Sequence, residues 1–90
     1  ANPGPTQLHA AAPNPTRDAT TFSFTLAREG RVRLDVFDIR GRLVERVLDT
    51  TKEAGNHRVV WDTHGVASGV YTYVLRSQAG QESRKLVKLQ

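Results

Sequence analysis

The chain has 90 residues, a length that fits one small domain with a single hydrophobic core and leaves little room for a deep active-site cleft. It contains no cysteine, which excludes disulfides, thiol catalysis and Cys-ligated zinc. Its net charge of +4 comes from 13 Lys and Arg residues scattered along the chain, a distribution typical of solubilising charge and not of a nucleic-acid site.

The N-terminal segment is predicted to be a linker. Residues 1–6 are rich in Pro and Gly, and the chain begins without Met or a signal peptide, so we expect a piece of a longer protein. The domain is predicted to span 7–90. A short strand over 7–12 is expected to end at Pro13-Asn14-Pro15, where two prolines cannot donate ladder hydrogen bonds.

Two long strands follow, at Thr20–Leu26 and Arg31–Phe37, because apolar and polar residues alternate with a period of two. In the first strand we expect the apolar residues Phe22, Phe24 and Leu26 to face inward. In the second strand the inward residues are Val32, Leu34 and Val36, and the outward residues are Arg31, Arg33 and Asp35.

A turn over Asp38–Gly41 is expected to place Gly41 in the left-handed region before the chain returns. The segment 42–48 then reads as the hairpin partner. A brief helix is the alternative for 42–48, and strand is preferred because the stretch is short and flanked by turns. The polar segment 49–55 is predicted to be a loop.

Three further strands are predicted at 56–61, 69–76 and 83–89, with a loop over 62–68. We expect Trp61, Tyr71 and Tyr73 to belong to the core. The total of about seven short strands with regular turn signals predicts an all-β, immunoglobulin-like antiparallel β-sandwich.

The polar residues show no pattern that indicates catalysis or a cofactor. His9, His57 and His64 lack metal-ligand spacing, and the neighbours Asp62 and Ser68 accompany no nucleophile elbow that would make a triad with His64. We therefore predict no catalytic, cofactor-binding or metal-binding residue and no enzyme activity. Calcium binding by loop 49–53 or loop 62–68 is left open.

Phe37 breaks phase with Val36 and is the one aromatic side chain not assigned to the core. It either covers one end of the sandwich or marks a small contact patch. Nucleic-acid-binding sandwiches usually expose several aromatics on a basic face, so this pattern does not predict a nucleic-acid partner.

Several motifs in their order along the chain resemble a known family. The motifs are Pro13-Asn14-Pro15, the run from Val32 to Arg42, Ala54-Gly55-Asn56-His57, Val60-Trp61-Asp62, Ala67-Ser68-Gly69-Val70-Tyr71 and Arg84-Lys85-Leu86-Val87-Lys88-Leu89. The whole set resembles the C-terminal sorting domain (type A) of type IX secretion cargo and the related immunoglobulin-like domain of the flagellar hook-capping protein.

The resemblance implies a terminal domain that sorts and anchors a larger exported enzyme or adhesin. It implies recognition by the outer-membrane translocon after folding in the periplasm, processing by a surface protease in or before residues 1–6, and attachment to anionic lipopolysaccharide. The expected location is the cell surface or the medium, and the domain is expected to be monomeric and fused to an N-terminal cargo domain. The residues expected to carry the signal are Gly69, Tyr71, Lys85, Leu86, Val87, Lys88 and Leu89.

A terminal strand at a sheet edge would also present unpaired backbone groups, which favours recognition by strand addition. Lys85 and Lys88 would then meet an acidic receptor or simply guard the edge against aggregation. Two alternatives to sorting stay open: an accessory carbohydrate-binding module, and a structural or assembly domain of a secreted or flagellar protein.

Overall fold

The computed structural model describes residues 4–90, and residues 1–3 of the predicted linker lie outside the described residues. Two antiparallel sheets share one core, a three-stranded sheet in the order β1-β2-β5 and a four-stranded sheet in the order β4-β3-β6-β7. This confirms the predicted sandwich. The strands are β1 (Gln7–Leu8), β2 (Ala19–Leu26), β3 (Gly30–Phe37), β4 (Leu43–Lys52), β5 (Gly55–Asp62), β6 (Gly69–Ser77) and β7 (Gly80–Lys88).

The core is built from the alternating apolar residues of both sheets. Phe22 of β2 lies at its centre, with its ring centroid 4.7 Å from that of Tyr73 and 6.0 Å from that of Trp61. All three side chains are buried, as the sequence predicted. Each buried aromatic removes a large apolar area from water, so these contacts, of which Phe22–Tyr73 joins the two sheets, contribute much of the stability.

The predicted loop over 49–55 is wrong. β4 continues to Lys52 because 49–52 pair in register with β3, and only Glu53 and Ala54 join it to β5 in the other sheet. The segment is polar because it continues an edge strand beyond Val47 and Leu48, the residues of β4 that pack against the core, and its own side chains are exposed or only partly buried.

The two terminal strands also differ from their predicted bounds. β1 is reduced to Gln7–Leu8, and Ala12 forms only an isolated bridge with Thr21. β7 begins at Gly80, immediately after a two-residue turn, and ends at Lys88. Its first residues are exposed and polar, so their side chains carry no alternation signal.

Asp35 lies on the outer face of the four-stranded sheet, as predicted, but its side chain is only 2% exposed. The guanidinium groups of two neighbouring arginines cover it. Nε of Arg46 lies 3.0 Å from Oδ1 of Asp35, and Nε of Arg33 lies 3.3 Å from Oδ2. Charge pairing therefore buries a carboxylate on a face that the alternation marks as solvated.

Candidate recognition surface

The last strand has a partner along its outer edge, supplied by the segment that links β1 to β2. The N–H of Val87 donates to Oδ1 of Asn14 at 3.0 Å, and Nδ2 of Asn14 donates to the carbonyl oxygen of Lys85 at 3.0 Å. Thr16 adds a parallel bridge: its N–H donates to the Val87 carbonyl at 2.9 Å and its carbonyl accepts the N–H of Leu89 at 2.8 Å. The side-chain amide of Asn14 thus acts as one more backbone unit of the ladder.

The first half of β7 closes the same side of the sandwich through its side chains. The N–H of Leu8 donates to Oε2 of Glu82 at 3.0 Å, and Nε of Arg84 donates to the carbonyl of Leu8 at 3.0 Å. Leu8 belongs to the edge strand of the other sheet, so these two bonds satisfy its free edge and join both sheets.

The expectation of an unpaired edge at the terminal strand is therefore wrong for 85–89. The prolines at 13 and 15 place Asn14 and Thr16 beside that edge, where a side chain replaces an ordinary ladder. A side-chain amide that imitates a backbone has no signature in alternation or turn spacing. A strand could add there only after 14–16 had been displaced.

The residues expected to carry the signal divide by exposure. Leu86 and Tyr71 are buried, and the Tyr71 hydroxyl donates to the carbonyl of Ala67 at 2.5 Å. Lys88 is also buried, and its ammonium donates to the carbonyl of Arg17, so it neither guards the edge nor reaches an acidic receptor. The members whose atoms reach the surface are Gly69, Lys85, Val87 and Leu89.

The opposite side of the sandwich ends in β4 and β5, which are the other edge strands of the two sheets. β4 carries four charged residues, Glu45, Arg46, Asp49 and Lys52, and has two register shifts against β3, features that discourage edge-to-edge pairing. β5 pairs with β2 over eight residues without a shift.

The turn after β3 is fixed by Asp38. Oδ1 of Asp38 accepts the N–H groups of Arg40 and Arg42 at 2.9 and 3.0 Å, and Oδ2 accepts Nε of Arg42 at 3.2 Å. These bonds, first that from the Arg42 backbone, lower the pKa of the Asp38 carboxyl below its usual value. Gly41 has φ of 82°, which confirms the predicted left-handed position.

This turn borders an exposed apolar patch on the outer face of the four-stranded sheet. The Phe37 patch, as we name it, comprises Phe37, Ile39, Leu43 and Val70. Phe37 lies opposite Leu43 on one side and Thr72 on the other, and Thr72 lies opposite Lys85. Ile39 is 83% exposed, Leu43 49% and Val70 41%. A shallow depression of about 600 Å³ is lined by Phe37, Asp38, Ile39, Gly41, Val70, Thr72 and Lys85.

Among residues 4–90 the histidines belong to no cluster of three or more side chains that could hold a metal ion. Nδ1 of His64 lies 2.7 Å from Oδ1 of Asp62, and Nε2 lies 3.2 Å from Oδ1 of Asp18, so the ring faces two exposed carboxylates instead of Ser68. The backbone and ring bonds from His64 lower the pKa of Asp62. His9 bonds to Thr25, and His57 bonds to the carbonyl of Glu53.

Family comparison gives this geometry its context. A family model of the secretion system C-terminal sorting domain matches residues 10–89. The chain belongs to this family. The sorting domain directs an attached cargo polypeptide through the type IX secretion machinery, across the outer membrane, to the cell surface or beyond. The predicted family, function and destination are thereby confirmed.

A solved structure is similar in fold to the sorting domain. It is that of dimeric latent PorU from Porphyromonas gingivalis, which matches 96% of this chain with a TM-score of 0.72 and 24% identity. The sorting domain corresponds to only 10% of the PorU chain, and at this identity the likeness shows the fold alone. A comparison with curated proteins gives no significant match.

The sequence interpretation of the sorting domain missed the exposed apolar residues Ile39, Leu43 and Val70. Leu43 and Val70 were read as ordinary strand residues and Ile39 as part of a turn, because alternation does not say whether the outer face is covered. The phase break at Phe37 was the one available signal. Phe37 lies on the outer sheet face beside these residues, and not among the buried residues of the core.

Among residues 4–90 there is no helix with the length and apolarity needed to cross a bilayer.

Proposed function

We propose that residues 7–90 form a non-catalytic unit that the type IX machinery recognises in its folded state, and that this unit sorts and anchors a larger exported enzyme or adhesin. The observation that carries the proposal is the locked terminal strand. Leu86 and Lys88 face inward, and 85–89 are bonded along their outer edge by Asn14 and Thr16. A receptor that requires these residues therefore meets them as part of the sandwich, not as a free peptide.

Within the expected signal we assign different roles to the exposed and buried members. Lys85, Val87 and Leu89 reach the surface and contact the receptor directly. Leu86 and Tyr71 hold β6 and β7 in the core, and Lys88 ties the strand to the loop at Arg17. Gly69, with φ of 153°, allows the chain to enter β6 at this end of the sheet.

Processing and anchoring complete the proposal. A surface protease cleaves in or before residues 1–6, and the released cargo is joined to anionic lipopolysaccharide. The net charge of +4 supports an anionic surface partner for the domain itself. The charges and register shifts of β4 support a monomer, because they discourage pairing between copies at that edge.

The absence of activity is also a proposal. It is supported by the lack, within the described residues, of a group of three metal-ligating side chains, and by the orientation of His64 toward two carboxylates. The carbohydrate-binding alternative finds no support in the aromatic residues, because Trp61, Tyr71 and Tyr73 are buried and offer no stacking platform.

A reporter fusion tests the sorting function. A periplasmic reporter fused to residues 1–90 should reach the surface in a host with type IX secretion and remain periplasmic in a secretion-deficient strain. Removal of 85–90 should abolish export, with Lys85→Ala as a second variant because the deletion also removes half of β7. Normal export of the reporter with 85–90 removed would place the signal elsewhere in the chain.

A further inference from the structure

The Phe37 patch is more apolar than is usual for a surface that contacts only solvent. It gathers four apolar side chains at one end of the outer sheet face, and Ile39, the most exposed of them, stands at the tip of the β3–β4 turn. Soluble domains rarely leave contiguous apolar residues uncovered, and such patches with polar borders commonly mark interaction sites. The core of the domain does not need them, because the inner face of the same strands is already buried.

Positive charges surround the patch. Lys85 borders the depression beside Thr72, and Arg40 and Arg42 extend from the turn that carries Ile39. The carboxylate of Asp38, which lines the depression, is occupied by two backbone N–H groups and the Arg42 guanidinium. The border therefore favours a partner that brings carboxylates with its apolar contact.

Beside the exposed Ile39, the depression favours a protein partner over a membrane. A domain that binds a bilayer inserts protruding apolar side chains between lipids. Here Phe37 and Val70 lie in the wall of a depression of about 600 Å³, which can receive a side chain from a partner. Concave apolar sites with a few polar groups at the rim are typical of binding pockets.

We propose that the Phe37 patch is a docking surface for an acidic, apolar protein segment of the secretion machinery. One apolar side chain of that segment enters the depression between Phe37 and Val70, and neighbouring carboxylates meet Lys85 and Arg40. This inference rests on the proposed sorting function and adds the surface through which it acts. It also gives Lys85 a partner, while Val87, which pairs with Val70, extends the same face.

The test uses the reporter fusion with paired substitutions. Val70→Asp and Ile39→Asp place a carboxylate in the patch, and Val60→Asp is the matched control, because Val60 is an exposed strand valine (67%) on the other sheet. Lys85→Glu is matched by Arg58→Glu, an exposed cation next to Val60 on the same strand. We expect the patch variants to lower surface reporter at least about tenfold, as for central interface residues. The two control variants should export normally.

The outcomes separate the two proposals. If the unmodified fusion is not exported, the sorting function fails. The docking surface is overturned by a different result, in which the unmodified fusion is exported and Val70→Asp and Ile39→Asp reach the surface as well as Val60→Asp does. In that result the thermal midpoints of the two patch variants match that of the wild type. Normal export of Lys85→Glu would overturn the acidic character of the partner. Binding of the wild-type domain to vesicles of phosphatidylglycerol and phosphatidylcholine, lost in Ile39→Asp, would assign the patch to a membrane instead.

Discussion

Asn14 and Val87 are joined side chain to backbone: the N–H of Val87 donates to Oδ1 of Asn14 at 3.0 Å, while the amide nitrogen of Asn14 bonds the carbonyl two residues earlier at the same distance. This pair closes the outer edge of β7, and 73 positions of sequence separate its members. The arrangement makes the terminal strand part of a completed ladder.

Removing the amide of Asn14 should weaken this closure. We expect Asn14→Ala to lower the free energy of unfolding by about 1–3 kcal/mol, since each of the two bonds contributes about 0.5–1.5 kcal/mol. Asn14→Asp keeps the acceptor for Val87 but turns a carboxylate oxygen toward the Lys85 carbonyl, so it should not restore the stability of the wild type. Urea unfolding measures the free energy, and amide hydrogen exchange at Val87 locates the change. Unchanged exchange at Val87 in Asn14→Ala would show that the bond does not protect this edge.

Tyr73 offers a second test because its hydroxyl joins the two sheets. The N–H of Ala11 donates to the Tyr73 oxygen at 2.8 Å, and the hydroxyl donates to the carbonyl of His9 at 3.0 Å. Tyr73→Phe leaves the buried N–H of Ala11 without an acceptor, which should cost about 1–3 kcal/mol of unfolding free energy. Tyr71→Phe is the control, because its hydroxyl makes a single bond to a carbonyl. Equal urea midpoints for the two variants would contradict the bridging role.

The burial of Asp35 predicts that its partner Arg46 contributes more to stability than Arg31 does. Arg46 pairs with the buried carboxylate of Asp35, whose hydrogen bond raises the pKa of Arg46, whereas Arg31 pairs with the partly exposed Asp49 at 2.9 Å. Arg46→Gln should therefore lower the urea midpoint more than Arg31→Gln, because exposed pairs contribute little and a buried carboxylate that loses a partner is costly. A larger effect of Arg31→Gln would show that the outer face does not depend on Asp35.

The carboxylate of Asp38 predicts that the thermal stability of the domain depends on pH. Folding lowers the pKa of the Asp38 carboxyl below its ordinary value of 3.8. The charged carboxylate therefore stabilises the folded state fully above pH 3.8, and this stabilisation is lost as the pH falls through the lower pKa of the folded state. At neutral pH, Asp38→Asn should unfold at a lower temperature than the wild type. The two midpoints should converge in acid, below 3.8. Thermal scans at several pH values measure both midpoints. A difference between the two midpoints that stays constant with pH would show that the Asp38 carboxyl is not the source of the pH dependence.

The architecture could be predicted from the sequence because it rests on local signals. Alternation placed Phe22 and Trp61 in the core, and turn chemistry placed Gly41 in the left-handed region, as observed. The edges could not be predicted in the same way. The polar stretch of β4 has no apolar face, and Asn14 closes β7 through a side chain far away in sequence.

The recognition residues show the same limit. Lys85 and Lys88 are both lysines of the terminal strand, but their surroundings differ. Lys85 is exposed on the outer face, whereas Lys88 is buried against the carbonyl of Arg17. Which face of β7 is inner depends on its pairing with β6, where Leu86 lies opposite Tyr71. Exposure of the Phe37 patch likewise depends on what covers the sheet, which no local pattern encodes.

The bonds of Asn14, Thr16 and Leu8 with the last strand have a consequence for synthesis and export. They join the first ladder of the domain to its last strand, so the edge can close only on a chain that includes the residues through Leu89. A cargo whose translation stops early lacks the closed edge even if every other strand is present. A receptor that requires the closed sandwich would therefore reject a cargo whose sorting domain is truncated within its last strand.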